Sequence, residues 1–276
     1  MDARLAELVR LLQLERLEVN IFRGESRDIG SPQVFGGQVL GQALKAAYAT
    51  VDEGRRAHSL HAYFLRRGDV DAPIVYFVDR SRDGQSFTNR RVTAIQHGEQ
   101  IFHMAASFQL QQPGVEHHIA MPQVPPPESL PEEILPSASL RRLPENMRRY
   151  FARERPFEFR RARADADASA PAQCIWMRAI DRLPEDDALH RCLLAYASDF
   201  NLLSTATLPY TGGELLVASI DHAMWFHRPL RVDEWHLYVC DSPSASQSRA
   251  LVRGSLFTRD GLLVASTAQE GLMRVT

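Results

Sequence analysis

Asp199 is the residue in this chain best placed to do chemistry. It lies in Tyr196-Ala197-Ser198-Asp199-Phe200-Asn201, late in a stretch, Leu189–Leu203, that reads as a helix. Its apolar neighbours should draw the carboxylate inward. Burial raises a carboxylate's pKa toward the range useful to a general base. Ser and Asp near a helix boundary also serve as ordinary caps, and local sequence leaves both readings open. The second candidate is a glycine pair, Gly36-Gly37, opening the helical stretch Gln33–Ala49. Backbone N–H groups at a helix start can cradle a phosphate or polarise a carbonyl oxygen; the glycines equally permit close packing.

Other chemistries are poorly supported. No Gly-x-Ser-x-Gly elbow offers a serine nucleophile, and Phe35-Gly36-Gly37-Gln38 lacks the P-loop lysine. There are 10 histidines, yet His58/His61 and His117/His118 match no known ligand spacing, so no metal is expected. Cys174, Cys192 and Cys240 are too few and scattered for a disulfide framework and fit a reducing cytoplasm.

The elements that must position these groups occur twice. Leu60-His61-Ala62-Tyr63-Phe64 returns as Asp221-His222-Ala223-Met224-Trp225, an offset of 161 (221 − 60), and His97-Gly98 returns as Asp260-Gly261, an offset of 163 (260 − 97). On these offsets His61 and His222 are equivalent, which implies a structural role for both. Carried back to the helix, the offsets set Asp199 against Gly36 or Gln38. Each copy reads as one long helix followed by an antiparallel meander: strands at His58–Leu65, Pro73–Arg82, Ser86–Gln96 and Gln100–Gln109 in the first, and near 215–228, 233–241, 246–258 and 262–273 in the second. Two such α+β units can pair their open sheet edges. Leu5, Leu8 and Leu12 predict a further amphipathic helix over residues 3–15.

The chain divides into an N-terminal unit at 1–112, a connector at 113–171 and a C-terminal unit at 172–276. Pro122, Pro125, Pro126, Pro127, Pro131 and Pro136 preclude regular structure early in the connector, and Pro144–Arg155 reads as a short charged helix. A tether along the outside of both units, rather than a lid, suits its length.

Composition sets the outer bounds. Net charge is −2, which gives no global attraction to nucleic acid or anionic membrane. Lys45 is the only lysine, so basic charge is arginine. No window approaches a membrane span, no secretory signal opens the sequence, and Met273-Arg274-Val275-Thr276 is not a peroxisomal address. A cytoplasmic protein is expected.

Four segments together resemble the type II acyl-CoA thioesterases: Val34-Phe35-Gly36-Gly37-Gln38-Val39-Leu40-Gly41-Gln42-Ala43-Leu44, His58-Ser59-Leu60-His61-Ala62-Tyr63-Phe64-Leu65, Asp221-His222-Ala223-Met224-Trp225-Phe226-His227-Arg228-Pro229, and Val264-Ala265-Ser266-Thr267-Ala268-Gln269-Glu270-Gly271. The likeness is weakest across 113–171. It implies a double hot dog fold: two tandem units, each a long helix wrapped by an antiparallel sheet. It also implies hydrolysis of fatty acyl-CoA to free fatty acid and CoA by a water held between an Asp, a Thr and a Gln. By resemblance these fall on Asp199, Ser219 and Gln269. Ser219 departs from the family's Thr, keeping the hydroxyl and losing the methyl. The first-copy counterparts would be Gly36 or Gln38, His58 and Ala106, so only the second copy should hold the water.

No cofactor is expected, CoA being part of the substrate, with Arg66, Arg67, Arg90, Arg91 and Arg228 as candidates for its phosphates. A homodimer or homotetramer is implied by resemblance alone. Two rival readings stand beside this one. A hot dog hydratase would need a His where Ser204 stands, and a non-catalytic acyl-CoA binding protein would not need the Asp/Ser/Gln set.

Overall fold

The computed structural model describes residues 1–31, 33–132, 155–165, 171–210 and 215–275. The described strands form one continuous antiparallel sheet. In the first unit β1 (Glu15–Glu18) and β2 (Ile21–Gly24) precede the long helix, and β3 (Arg55–Phe64), β4 (Ile74–Asp83), β5 (Phe87–Gln96) and β6 (Glu99–Leu110) follow it. In the second, β7 (Phe157–Asp165) and β8 (Ala172–Ala179) precede the helix, and β9 (Leu215–Ser219), β10 (Asp221–Phe226), β11 (His236–Ser246), β12 (Arg249–Thr258) and β13 (Leu263–Val275) follow it. The order is β1-β2-β4-β5-β6-β3-β10-β13-β12-β11-β8-β7, with β9 also on β13. The two halves meet edge to edge at β3–β10, as the duplication predicts. Four strands, β1, β2, β7 and β8, are not in the sequence reading. β1 is exposed throughout and lacks the apolar alternation that announces a strand.

Among the described residues four α-helices accompany the sheet: α1 (Ala3–Leu11), α2 (Gly36–Tyr48), α3 (Asp187–Ser198) and the single turn α4 (Ser204–Thr207). Helices α2 and α3 bury nearly all their side chains in the main core, with Leu40, Leu44, Leu193 and Leu194 fully enclosed. They can lie against each other because Gly37 and Gly41 have no side chains. A Cβ on Gly37 would fall 2.2 Å from the Tyr196 carbonyl oxygen, and one on Gly41 would fall 3.0 Å from that of Cys192. Both pairs run in opposite chain directions, so the helices are antiparallel.

Strand registers fix which residues are true counterparts. β9 and β10 together correspond to β3: the first is interrupted at Ile220, the second has its register shift at His58, an offset of 162 (220 − 58). Across the sheet Ser219 faces Gly271 and Ala57 faces Phe108, an offset of 163 (271 − 108). His61 and Ala223 are related by 162 and are paired with each other, so the pseudo-twofold axis passes between them. The offset of 161 is therefore one residue out, and a one-residue slip exchanges the faces of a strand. His61 is exposed, edge-on to Trp225 at 5.2 Å, whereas His222 is fully buried. They are not equivalent.

The helices begin only 151 residues apart (187 − 36), so about eleven extra residues lie between α3 and β10. They include α4 and sit beside Asp199.

The connector is also shorter than 113–171. Strand β7, within that span, is the outer edge of the sheet on the second unit's side. The predicted helix at Pro144–Arg155 falls almost wholly outside the described residues. The proline-rich part packs on the second unit: Met121, Val124 and Leu130 cover a cluster around Trp176, Trp235, Leu237 and Phe257, and the Trp176 indole N–H donates to the Pro125 carbonyl at 2.9 Å.

Candidate active site

Asp199 is the C-cap of α3. The next turn is reversed by Asn201 at φ +63°, a conformation Asn tolerates better than most residues. The Asp199 carboxylate points across the interface to the start of α2. That helix opens at Gly36, and Phe35 before it supplies no side-chain cap. The Gly37 N–H lies on the Asp199 side and lowers the carboxylate's pKa, so Asp199 stands where a cap would, but at the other unit's helix.

The three residues assigned from the family resemblance converge on one atom. Gln269, fully buried on β13, places Nε2 at 2.8 Å from Asp199 Oδ1 and 3.1 Å from Ser219 Oγ. A third neighbour is His222 Nδ1, at 3.2 Å. The Gln269 carbonyl oxygen is buried without a protein partner.

Asp199 has only 7% of its side chain exposed. Burial raises its pKa above the ordinary 3.8, and this outweighs the opposing hydrogen bonds from Gln269 and Gly37. His222 is pushed down to about 4 by burial, so the ring is neutral at physiological pH. A buried, hydrogen-bonded carboxylate of raised basicity at the positive end of a helix can take a proton from an adjacent donor.

The registers also correct the assigned counterparts. Gly36 and Gln38 are not the first-unit equivalents of Asp199. Gly36 is its neighbour across the interface, and Gln38 bonds the Glu25 carbonyl and the Arg27 N–H away from the cluster. With the offset of 151, Asp199 corresponds to Tyr48; with 162, Ser219 corresponds to Ala57, not His58, and His222 to Leu60. Gln269 corresponds to Ala106, as expected. The first unit fills the equivalent space: the Tyr48 hydroxyl accepts from the Ala57 N–H at 2.9 Å, and its ring meets Phe108 edge-on at 5.0 Å. Phe108 stands where the second unit has Gly271.

Among the arginines proposed for the CoA phosphates, Arg90 is 2% exposed and holds Thr50, Asp83 and backbone carbonyls, so it is structural. Arg66 and Arg228 are also engaged, with Glu99 and Glu116 respectively. Sequence reasoning missed the Gly37 cap and the participation of His222 and Ser198. The available signals were the adjacency of Ser198 to Asp199 and the closeness of His222 to Ser219.

Residues 23–109 match a family described as acyl-CoA thioesterase N-terminal domain, and residues 146–272 match one described as acyl-CoA thioesterase. A Haemophilus influenzae protein named acyl-CoA thioesterase 2 is 44% identical, covering 98% of each chain. The chain belongs to the acyl-CoA thioesterase family. The crystal structure of an acyl-CoA thioesterase II from Mycobacterium marinum is 45% identical, with 98% of each chain covered and a TM-score of 0.83. A hot dog protein of unknown function from Alicyclobacillus acidocaldarius, 22% identical, covers 98% of each chain with a TM-score of 0.81, which supports the double hot dog fold.

Proposed function

We propose that this protein hydrolyses fatty acyl-CoA to free fatty acid and CoA, with Asp199 as general base and Gln269 and Ser219 holding the attacking water. The observation that carries this reading is the meeting of a buried carboxylate, a hydroxyl and an amide at Gln269 Nε2. Asp199 takes one proton from the water as its oxygen bonds to the thioester carbonyl carbon. The carbonyl π electrons move to oxygen, which is stabilised at the N-terminus of α2. When they return, the C–S bond breaks, and the thiolate leaves with the proton from Asp199. A positioned base contributes roughly 10²–10⁴-fold.

The reaction draws on no cofactor beyond the CoA of the substrate. A cytoplasmic setting and assembly into a homodimer or homotetramer belong to the same proposal. Among the described residues no helix is long and apolar enough to cross a membrane. The hydratase reading is disfavoured by Ser204, which opens α4 where that chemistry needs a histidine.

The test is thiol release from acyl-CoAs of short to long chain, wild type against Asp199→Asn. Rapid loss of activity in the variant is expected. Wild-type kcat in the variant, or a labelled acyl group recovered on the quenched protein, overturns the assignment.

A further inference from the structure

Behind Gln269 lies a buried polar chain that the proposed chemistry does not use. The Ser198 hydroxyl donates its one hydrogen to the Ala195 carbonyl at 3.0 Å, and the same oxygen lies 3.0 Å from His222 Nε2. With that hydrogen on the Ala195 carbonyl, Ser198 Oγ accepts from the ring and the ring proton sits on Nε2, the tautomer that the donating Gln269 amide nitrogen also requires of Nδ1. His222 Nδ1 then carries a lone pair, facing Gln269 Nε2 at 3.2 Å. All three side chains are fully buried. The fold does not demand them: the first unit has Ala47, Leu60 and Ala106 at the corresponding positions, equally enclosed. Burying three polar groups where apolar ones fit is unfavourable unless each is paired.

We infer that His222, held in one tautomer by Ser198, is a positioning residue that fixes the orientation of the Gln269 amide. The inference rests on the water-site reading of Asp199, Ser219 and Gln269. An ionised Asp199 already requires an N–H from Gln269, but that requirement lapses when Asp199 takes the proton from water. A carboxylic acid can donate to the amide oxygen, and the amide is then free to turn over. The Nδ1 lone pair continues to require an N–H at that moment. It keeps the NH2 group toward Asp199 and Ser219 through the cycle, and leaves the unpartnered Gln269 carbonyl oxygen where it was.

The experiment compares kcat and KM for thiol release in wild type, His222→Leu, His222→Asn, Ser198→Ala and Asp199→Asn, with thermal melting of each. His222→Leu installs the residue of the first unit and removes the acceptor; His222→Asn retains an acceptor near the Nδ1 position. His222→Leu is expected to lower kcat about tenfold with KM changed less than about twofold, and His222→Asn to recover most of the loss. Ser198→Ala frees the tautomer and should cut kcat about threefold. Wild-type kcat in His222→Leu, or equal impairment of the Leu and Asn variants, overturns the inference. If His222→Leu does not fold, unchanged kcat in Ser198→Ala overturns it. The two failures are distinguishable: full activity in Asp199→Asn refutes the water site, whereas an inactive Asp199→Asn beside a fully active His222→Leu refutes only the positioning role.

Discussion

Gly36 has no room for a side chain because of Asp199: a Cβ built on the glycine falls 2.8 Å from Asp199 Oδ2 and 3.1 Å from the Phe64 ring. The first residue of one unit's helix and the last-turn carboxylate of the other's therefore share one space. Gly36→Ala should displace the carboxylate, with kcat for thiol release falling about tenfold while the melting temperature changes little. Gly37→Ala is different in kind. Its Cβ would meet the rigid Tyr196 carbonyl at 2.2 Å, prising the helices apart, and a loss of about 2–3 kcal/mol in denaturant unfolding is expected.

Asp199→Asn separates activity from stability. The carboxylate's pKa is raised in the fold, so the native state prefers it protonated. Its linkage contribution is favourable below 3.8 and is lost as pH rises through the folded value. The neutral amide escapes that loss. The variant is expected to be inactive, yet to unfold at higher temperature than wild type at pH 7, with the advantage shrinking as pH approaches 3.8. In the wild type, kcat/KM should fall on acidification with a midpoint above 3.8, since only the carboxylate can accept the proton.

The meander was legible because its strands alternate and its turns carry their own chemistry. Gly98 and Gly261, at φ +78° and +93°, sit at the sequence-predicted turns. The turn between β11 and β12 was not legible, because Gln247 and Ser248 take φ +48° and +60° without a glycine to mark it. Asp199 could be found from its burial, but its counterpart could not. The extra residues between α3 and β10 change the offset from 151 to 162, and no motif in that stretch records the change. The match of His61 to His222 followed letters rather than faces. Only the pairing of His61 with Ala223 shows which residues the pseudo-axis relates.

Tyr48 tests the claim that the first unit's equivalent space is filled rather than functional. Tyr48→Phe keeps the ring against Phe108 and removes the acceptor for the Ala57 N–H. A loss of about 1 kcal/mol in unfolding free energy with unchanged kcat is expected. A fall in kcat without a loss of stability would place the first unit in the chemistry.

Ser219 ends β9 with a hydroxyl that can turn about χ1, where the family resemblance has a stiffer threonine. Threonine has fewer accessible rotamers and suits a strand. Confining a three-state rotor to one state is worth at most about a threefold rate gain. Ser219→Thr is therefore expected to raise kcat by up to about threefold at unchanged KM. Ser219→Ala removes the hydroxyl 3.1 Å from the amide nitrogen, whose two hydrogens are shared among Asp199, Ser219 and His222, and should lower kcat at least as much.

His222 should give the protein a distinct acid sensitivity. Its folded pKa is near 4 against an ordinary 6.5, so the native state favours the neutral ring. The stability this provides is complete above 6.5 and is lost as pH falls toward 4, the unfolded chain taking up the proton first. At roughly 1.4 kcal/mol per unit the loss over that window is about 3 kcal/mol. His222→Leu has no ring to protonate. Urea unfolding at pH 7 and pH 4 should show the protein that keeps His222 losing about 3 kcal/mol more than the one with His222→Leu. Asp199 acts with the opposite sign as it protonates, so the comparison is made on the Asp199→Asn background, where only the imidazole remains to titrate in the cluster. Parallel losses in the two proteins would mean that the ring is hydrated and already charged.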